Sequence, residues 1–95
     1  MNILIHSTIK NLTNYDELSQ VLDNLLCTNV SQRLPSNCIT IYSNEPLVRI
    51  YAEAAGYNFI FENVNTNDIS LQIVLELSNK YDSSSIVPKL LKNTI

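Results

Sequence analysis

Ser43-Asn44-Glu45-Pro46 stands where an apolar run ends and a helix opens. Open α/β sheets place ligands at such junctions, anions in particular. Glu45 argues against an anion, because a carboxylate already sits at the positive end of the helix dipole. Asn44 is expected to cap the helix. His6, the one histidine, follows a short β-rich run with Ser7 beside it. An imidazole next to a hydroxyl could begin base-assisted nucleophilic chemistry. No elbow motif accompanies the pair, so a structural or surface histidine is the expectation. Glu45, Glu53 and Glu62 could form a carboxylate pair or hold magnesium only if they converged. They lie on different elements without convergent spacing and read as solvated charge. Cys27 and Cys38 stand eleven apart, which matches neither a CxxC redox pair nor a four-ligand zinc pattern. Both are expected as small apolar fillers in a reducing compartment. The residues therefore predict no catalytic group, no metal ligands and no cofactor.

The elements that would position these residues follow from pattern. Residues 2–7 form a short β-rich run, the first expected strand. Asn14 with Glu17 three residues on makes a capping box. Leu18, Val21, Leu22, Leu25 and Leu26 then repeat at helical spacing, which predicts a helix to about Cys27. A polar connection over 28–37 is broken by Pro35. Residues 38–42 read as the second strand, with Ile39 and Ile41 on one face and Cys38, Thr40 and Tyr42 on the other. Neither face is charged, so both are expected to be covered, as in a central parallel strand. Pro46 suits the first turn of the next helix. Leu47, Ile50, Tyr51 and Ala54 make its expected inward stripe, and Gly56 its left-handed end. Residues 57–64 read as the third strand.

Residues 68–81 are two-sided. Ile69, Leu71, Ile73, Leu75 and Leu77 alternate with polar residues, broken only by Val74, as in a strand. Leu, Gln and Glu favour helix, Asn67 or Asp68 can cap one, and the length is great for a strand. Helix is the favoured expectation. After a polar break at 82–85, residues 86–91 are apolar and extended, and Pro88 argues for a sheet edge or strand start.

Composition bounds the function classes. Ninety-five residues with 45% apolar and 16% charged residues describe one folded domain of modest core. No apolar run approaches the roughly 20 residues that span a bilayer, and residues 1–6 lack the pattern of a signal peptide. A cytoplasmic protein without a membrane partner is expected. The net charge of −3 and six scattered Lys and Arg residues form no basic stripe, so no nucleic-acid partner is expected. Abundant Asn and Ser with a single Gly fit an AT-rich genome of the kind common in phage and mobile elements.

From residue 38 onward the chain resembles the glutaredoxins of the thioredoxin-like fold. Residues 39–43 are similar to that family's first strand, 56–59 to its helix-to-strand turn, 75–78 to its second helix and 85–90 to its Val-Pro segment. Residues 14–18 resemble its last helix. The resemblance implies a cis peptide before Pro88 and glutathione binding through Val87 and Asp16. The chain departs from the family at the chemistry. Asn44-Glu45-Pro46-Leu47 replaces Cys-Pro-x-Cys, so no thiolate stands at the helix N-terminus. Thr13-Asn14 replaces a Gly-Gly pair, leaving Asp16 alone to match.

The fold expected is a small single-domain α/β protein over residues 1–95. Its mostly parallel sheet is flanked by helices in the order βαβαβαβ, a thioredoxin-like or flavodoxin-like sandwich. Tyr42, Tyr51, Tyr57 and Phe61, with Phe59, cluster around the central unit and are candidate interaction residues. The function expected is a non-catalytic module that binds and modulates a partner protein, with a homodimer as a further expectation. The alternative is a glutathione-binding or thiol-redox protein.

Overall fold

The computed structural model describes residues 1–9, 12–30, 35–61, 66–80 and 83–94. Among these residues nine elements follow in order: β1 (Asn2–Ser7), α1 (Tyr15–Asn29), a 3₁₀ turn (Ser36–Cys38), β2 (Thr40–Tyr42), α2 (Pro46–Ala55), β3 (Asn58–Ile60), a second 3₁₀ turn (Thr66–Asp68), β4 (Leu71–Lys80) and β5 (Ser83–Asn93). The strands form one sheet in the order β3-β2-β1-β4-β5. The β1–β2, β1–β4 and β2–β3 pairs are parallel, and β4–β5 is antiparallel. The sheet is therefore mixed, and the order βαβαβαβ is corrected to two βα units followed by three strands.

Both helices lie on one face of the sheet. The steps β1 to β2 and β2 to β3 run the same way across it, and right-handed crossovers in one direction share a face. The core agrees: Ile3, Ile5, Ile41 and Ile73 join Leu22 of α1 and Val48 of α2 in one buried cluster. The molecule has two layers, a sheet and a helix pair. This corrects the expectation that both faces of β2 are covered by helices. Alternation sends Thr40 and Tyr42 to the face without helices, where they are half-buried. Leu4 is buried but lies outside the main cluster, on that same second face.

α1 forms as its sequence dictates. The Asn14 side chain accepts from Glu17 N–H at 3.1 Å and its amide donates to Glu17 Oε2 at 3.3 Å. Leu18, Leu22 and Leu26 are buried, one turn apart each. α2 opens with Pro46 at its first position, but its N-cap is Glu45, not Asn44, and the cap makes no side-chain bond. The Ser43 hydroxyl instead accepts from Glu45 N–H at 3.1 Å, and this turn sets the helix start. The inward stripe of α2 is also corrected. Val48, Tyr51 and Ala52 are buried, while Ile50 and Ala54 are exposed and Leu47 is half-buried. Gly56 ends the helix at φ +82°, where Tyr57 N–H donates to Ala52 O at 2.9 Å.

Residues 71–80 form a strand, not the helix favoured from composition. The alternation was the physical signal: Leu71, Ile73 and Leu75 are fully buried under the helices, while Gln72 and Val74 are half-buried on the other face. Val74 breaks the pattern because it packs on that second face opposite His6 in β1. A central strand between two partners overrides the helix preference of Leu, Gln and Glu. β5 is an edge strand, as Pro88 implies, and contains no cis peptide bond. β3 covers only Asn58–Ile60 of the expected 57–64, and residues 62–64 lie outside the described residues.

β4 and β5 outrun the sheet. β1 pairs with β4 only as far as Ser7 opposite Leu75, while the β4–β5 ladder continues to Lys80 opposite Ser83. The far part of the hairpin is thus a two-stranded ribbon, in a molecule of 39 × 25 × 23 Å.

Candidate functional site

The two junctions singled out in the sequence meet in space. His6 and Ser7, at the end of β1, line one cleft of about 130 Å³ with Ser43, Asn44 and Glu45, at the end of β2. Parallel pairing of β1 with β2 brings these ends together. The Ser7 and Ser43 hydroxyls do matching local work: Ser7 accepts from Ile9 N–H and Ser43 from Glu45 N–H, each at 3.1 Å. His6 and Ser7 point to opposite faces because they are consecutive in a strand. The His6 ring lies 3.2 Å from the Gln72 amide on the face without helices, with Nε2 towards the amide nitrogen. When the ring proton sits on Nδ1, that amide donates to Nε2. The geometry therefore does not join imidazole and Ser7 hydroxyl as base and nucleophile.

The carboxylates do not converge either. Glu45 is the α2 N-cap, and its carbonyl accepts from Val48 N–H at 3.1 Å and Arg49 N–H at 3.3 Å. Glu53 pairs with Arg49 at 3.0 Å one turn away on the exposed face. Such a pair is worth about 0.3–0.5 kcal/mol. Glu62 lies outside the described residues. Among the described residues no three His, Cys, Asp or Glu side chains gather as a metal site.

A larger cavity, about 260 Å³, opens where the ends of α1 and α2 meet, with Asp23, Cys27, Ile39, Tyr51 and Tyr57 in its wall. Tyr51 O–H donates to Asp23 Oδ1 at 2.5 Å. Burial, then the Asp23 hydrogen bond and charge, push the Tyr51 hydroxyl far above the ordinary tyrosine range. Burial, and then the Asp23 carboxylate, raise Tyr57 as well. The tyrosine rings lie 6.2 Å apart at 43°. Nothing in the sequence around Asp23 marks it for this role. It lies beside the buried Leu22 and is found only once α2 is placed.

Cys27 and Cys38 are both exposed and unbridged, which corrects the expectation of apolar fillers. Cys27 follows the last buried leucine of α1, so the helix turns it outward. Cys38 closes the 3₁₀ turn before β2.

Asp16 and Val87 lie next to a direct contact between α1 and β5. Glu17 Oε1 accepts from Ile86 N–H at 2.5 Å. Beside it, Leu12, Asn14, Glu17, Leu77 and Ile86 line a cleft of about 160 Å³. Since Ile86 N–H faces away from β4, the backbone of Val87 faces β4, where it pairs with Glu76.

The candidate interaction residues do not form one patch. Tyr51 is buried, which removes it from any surface. Tyr57 is half-buried beside it, and Tyr42 lies on the opposite face of the sheet. Phe61 is exposed, its ring 6.2 Å from Phe59. Of the exposed aliphatic side chains, Leu77, Val87, Leu90 and Leu91 belong to the β4–β5 hairpin, with Leu77 48% and Leu91 51% exposed, while Ile50 lies on α2 and Ile60 on β3. From the sequence only Val87 carried a functional expectation, glutathione binding, and nothing in the pattern of β4 separates its covered from its uncovered stretch. Among the described residues no helix is long and apolar enough to cross a membrane. Comparison of the chain with protein-family models, curated proteins and solved structures finds no match.

Proposed function

We propose that the chain is a non-catalytic interaction module that binds a partner protein through the β4–β5 hairpin and modulates it. The observation that carries this reading is the hairpin itself. It extends past the end of β1, where Leu77 and Val87 are exposed on opposite faces, and Leu90 and Leu91 are exposed further along β5, beside Ile73. A ribbon of two strands gains little stability from itself. Exposed aliphatic surface on such an element is the kind that marks a protein-binding surface.

The test is affinity capture from the native host with wild type, Leu77→Ser and Leu91→Ser, each checked for an unchanged thermal midpoint. Wild type is expected to retain one partner in stoichiometric amount, and both variants to lose it. No stoichiometric partner, or one held equally by all three, would contradict the reading.

A second reading, glutathione binding or thiol redox chemistry, draws support from the two exposed thiols. It predicts a thermal shift with glutathione and a disulfide-reducing activity that disappears in Cys38→Ser.

A further inference from the structure

The two edges of the sheet are built differently. On β5 two successive outward backbone positions are closed. Ile86 N–H is taken by the Glu17 carboxylate, and the next outward position is Pro88, which has no N–H. A carboxylate and a proline are devices that stop a strand from recruiting another. β3, the opposite edge, carries neither among its described residues.

The register of β3 fixes what it offers. Asn58 N–H donates to Ile39 O at 3.0 Å, and Ile60 O accepts from Ser43 N–H at 3.3 Å. Asn58 and Ile60 therefore turn their backbone groups to β2. Phe59, between them, turns its N–H and C=O outward, and Phe61 continues the alternation. From Phe59 to Phe61 the side chains at this open edge are apolar on both faces. Phe59 and Phe61 lie together on one face, and Ile60, 38% exposed, points to the other. Phe61 is 54% exposed.

We infer that this edge pairs with the β3 edge of a second copy of the chain, antiparallel about a two-fold axis centred on Ile60. In that register Phe59 exchanges backbone hydrogen bonds with Phe61 of the other copy, and Phe61 with Phe59. The four phenylalanine rings meet on one face, and the two Ile60 side chains meet on the other. All six paired positions are apolar, so the edge is complementary to itself. An isologous two-fold contact needs only this one patch, repeated. The result joins two sheets into one and covers Ile60 and Phe61. The ladder is short, so the contact is of modest affinity and depends on concentration. It uses the edge opposite the hairpin and stands or falls apart from hairpin binding.

Sedimentation velocity over a concentration series tests it. The wild-type mass is expected to rise with concentration from 10.8 kDa towards twice that value. Phe61→Pro removes an outward donor that β2 does not use, and Ile60→Lys places a charge at the axis. Each is expected to raise the dissociation constant at least about tenfold with the circular-dichroism spectrum unchanged. Leu91→Lys, on the hairpin, is expected to dimerise as wild type does. A wild type that stays monomeric to about 1 mM, a Phe61→Pro that dimerises undiminished, or loss of the dimer in Leu91→Lys would each overturn the inference.

Discussion

Tyr51 and Asp23 show how much a single contact can decide. The Tyr51 ring is buried between the helices, and its hydroxyl reaches the exposed Asp23 at 2.5 Å. A hydrogen bond to a charged group contributes about 1.5–3 kcal/mol, less here because Asp23 faces solvent. Tyr51→Phe should thus cost about 1 kcal/mol in urea unfolding at neutral pH. The pH dependence has a definite sign. The hydroxyl is harder to ionise in the fold than in the open chain, so its contribution is whole below the ordinary tyrosine pKa of about 10 and declines as pH rises above it. Wild type should lose more stability than Tyr51→Phe between about pH 7 and pH 11. Tyr57, also raised, should keep the variant's loss above zero. Equal losses in the two proteins would show that Tyr51 is not held in this buried site beside Asp23.

At this scale the sequence was legible wherever the partner is local. The Asn14–Glu17 capping box, Pro46 at the start of α2 and Gly56 at its end all stand as their spacing implies. Contacts between distant residues left no mark: Glu17 with Ile86, and Tyr51 with Asp23, exist only because the fold brings α1 to β5 and to α2. The cleft at the ends of β1 and β2 was half legible. His6-Ser7 and Ser43-Asn44 each read as a junction, but only the β1–β2 pairing makes them one place. The same strand geometry then turns His6 from Ser7.

Elements carry the main lesson of 71–80. Composition favoured helix while the alternation fitted a strand, and the alternation prevailed because helices cover one face of β4 and β1 and β5 flank it. The two possibilities predict different mutational patterns. In a helix, positions 73 and 76 would share a face; in β4 they point to opposite faces. Ile73 is fully buried and Glu76 exposed. Ile73→Ala should therefore cost about 2–5 kcal/mol and Glu76→Ala within about 0.5 kcal/mol, read by urea denaturation. Comparable costs at the two positions would contradict the strand. The phase of α2 was misjudged for a related reason. Val48 and Ala52 are as compatible with an inward stripe as Leu47 and Ile50, and only the helix's seat on the sheet decides between them.

Over the whole molecule, a helix pair covers one face of a mixed sheet, Glu17 and Pro88 close two outward positions of one sheet edge, and a hairpin runs on beyond β1. The α/β class was legible because two strand–helix units announce themselves locally. The final antiparallel strand and the second, helix-free face were not, since pairing direction and coverage are decided between elements. The apolar surface that remains exposed lies at the β3 edge, at Ile50 of α2 and on the hairpin, and the hairpin is the part proposed to bind a partner protein. Hydrogen exchange of the chain, alone and with its captured partner, tests that assignment most directly. Slowed exchange along β5 and at Leu77, with the amides of His6, Ser7 and Glu45 unchanged, is the predicted result. Protection confined to the cleft between β1 and β2, with the hairpin unaffected, would contradict it.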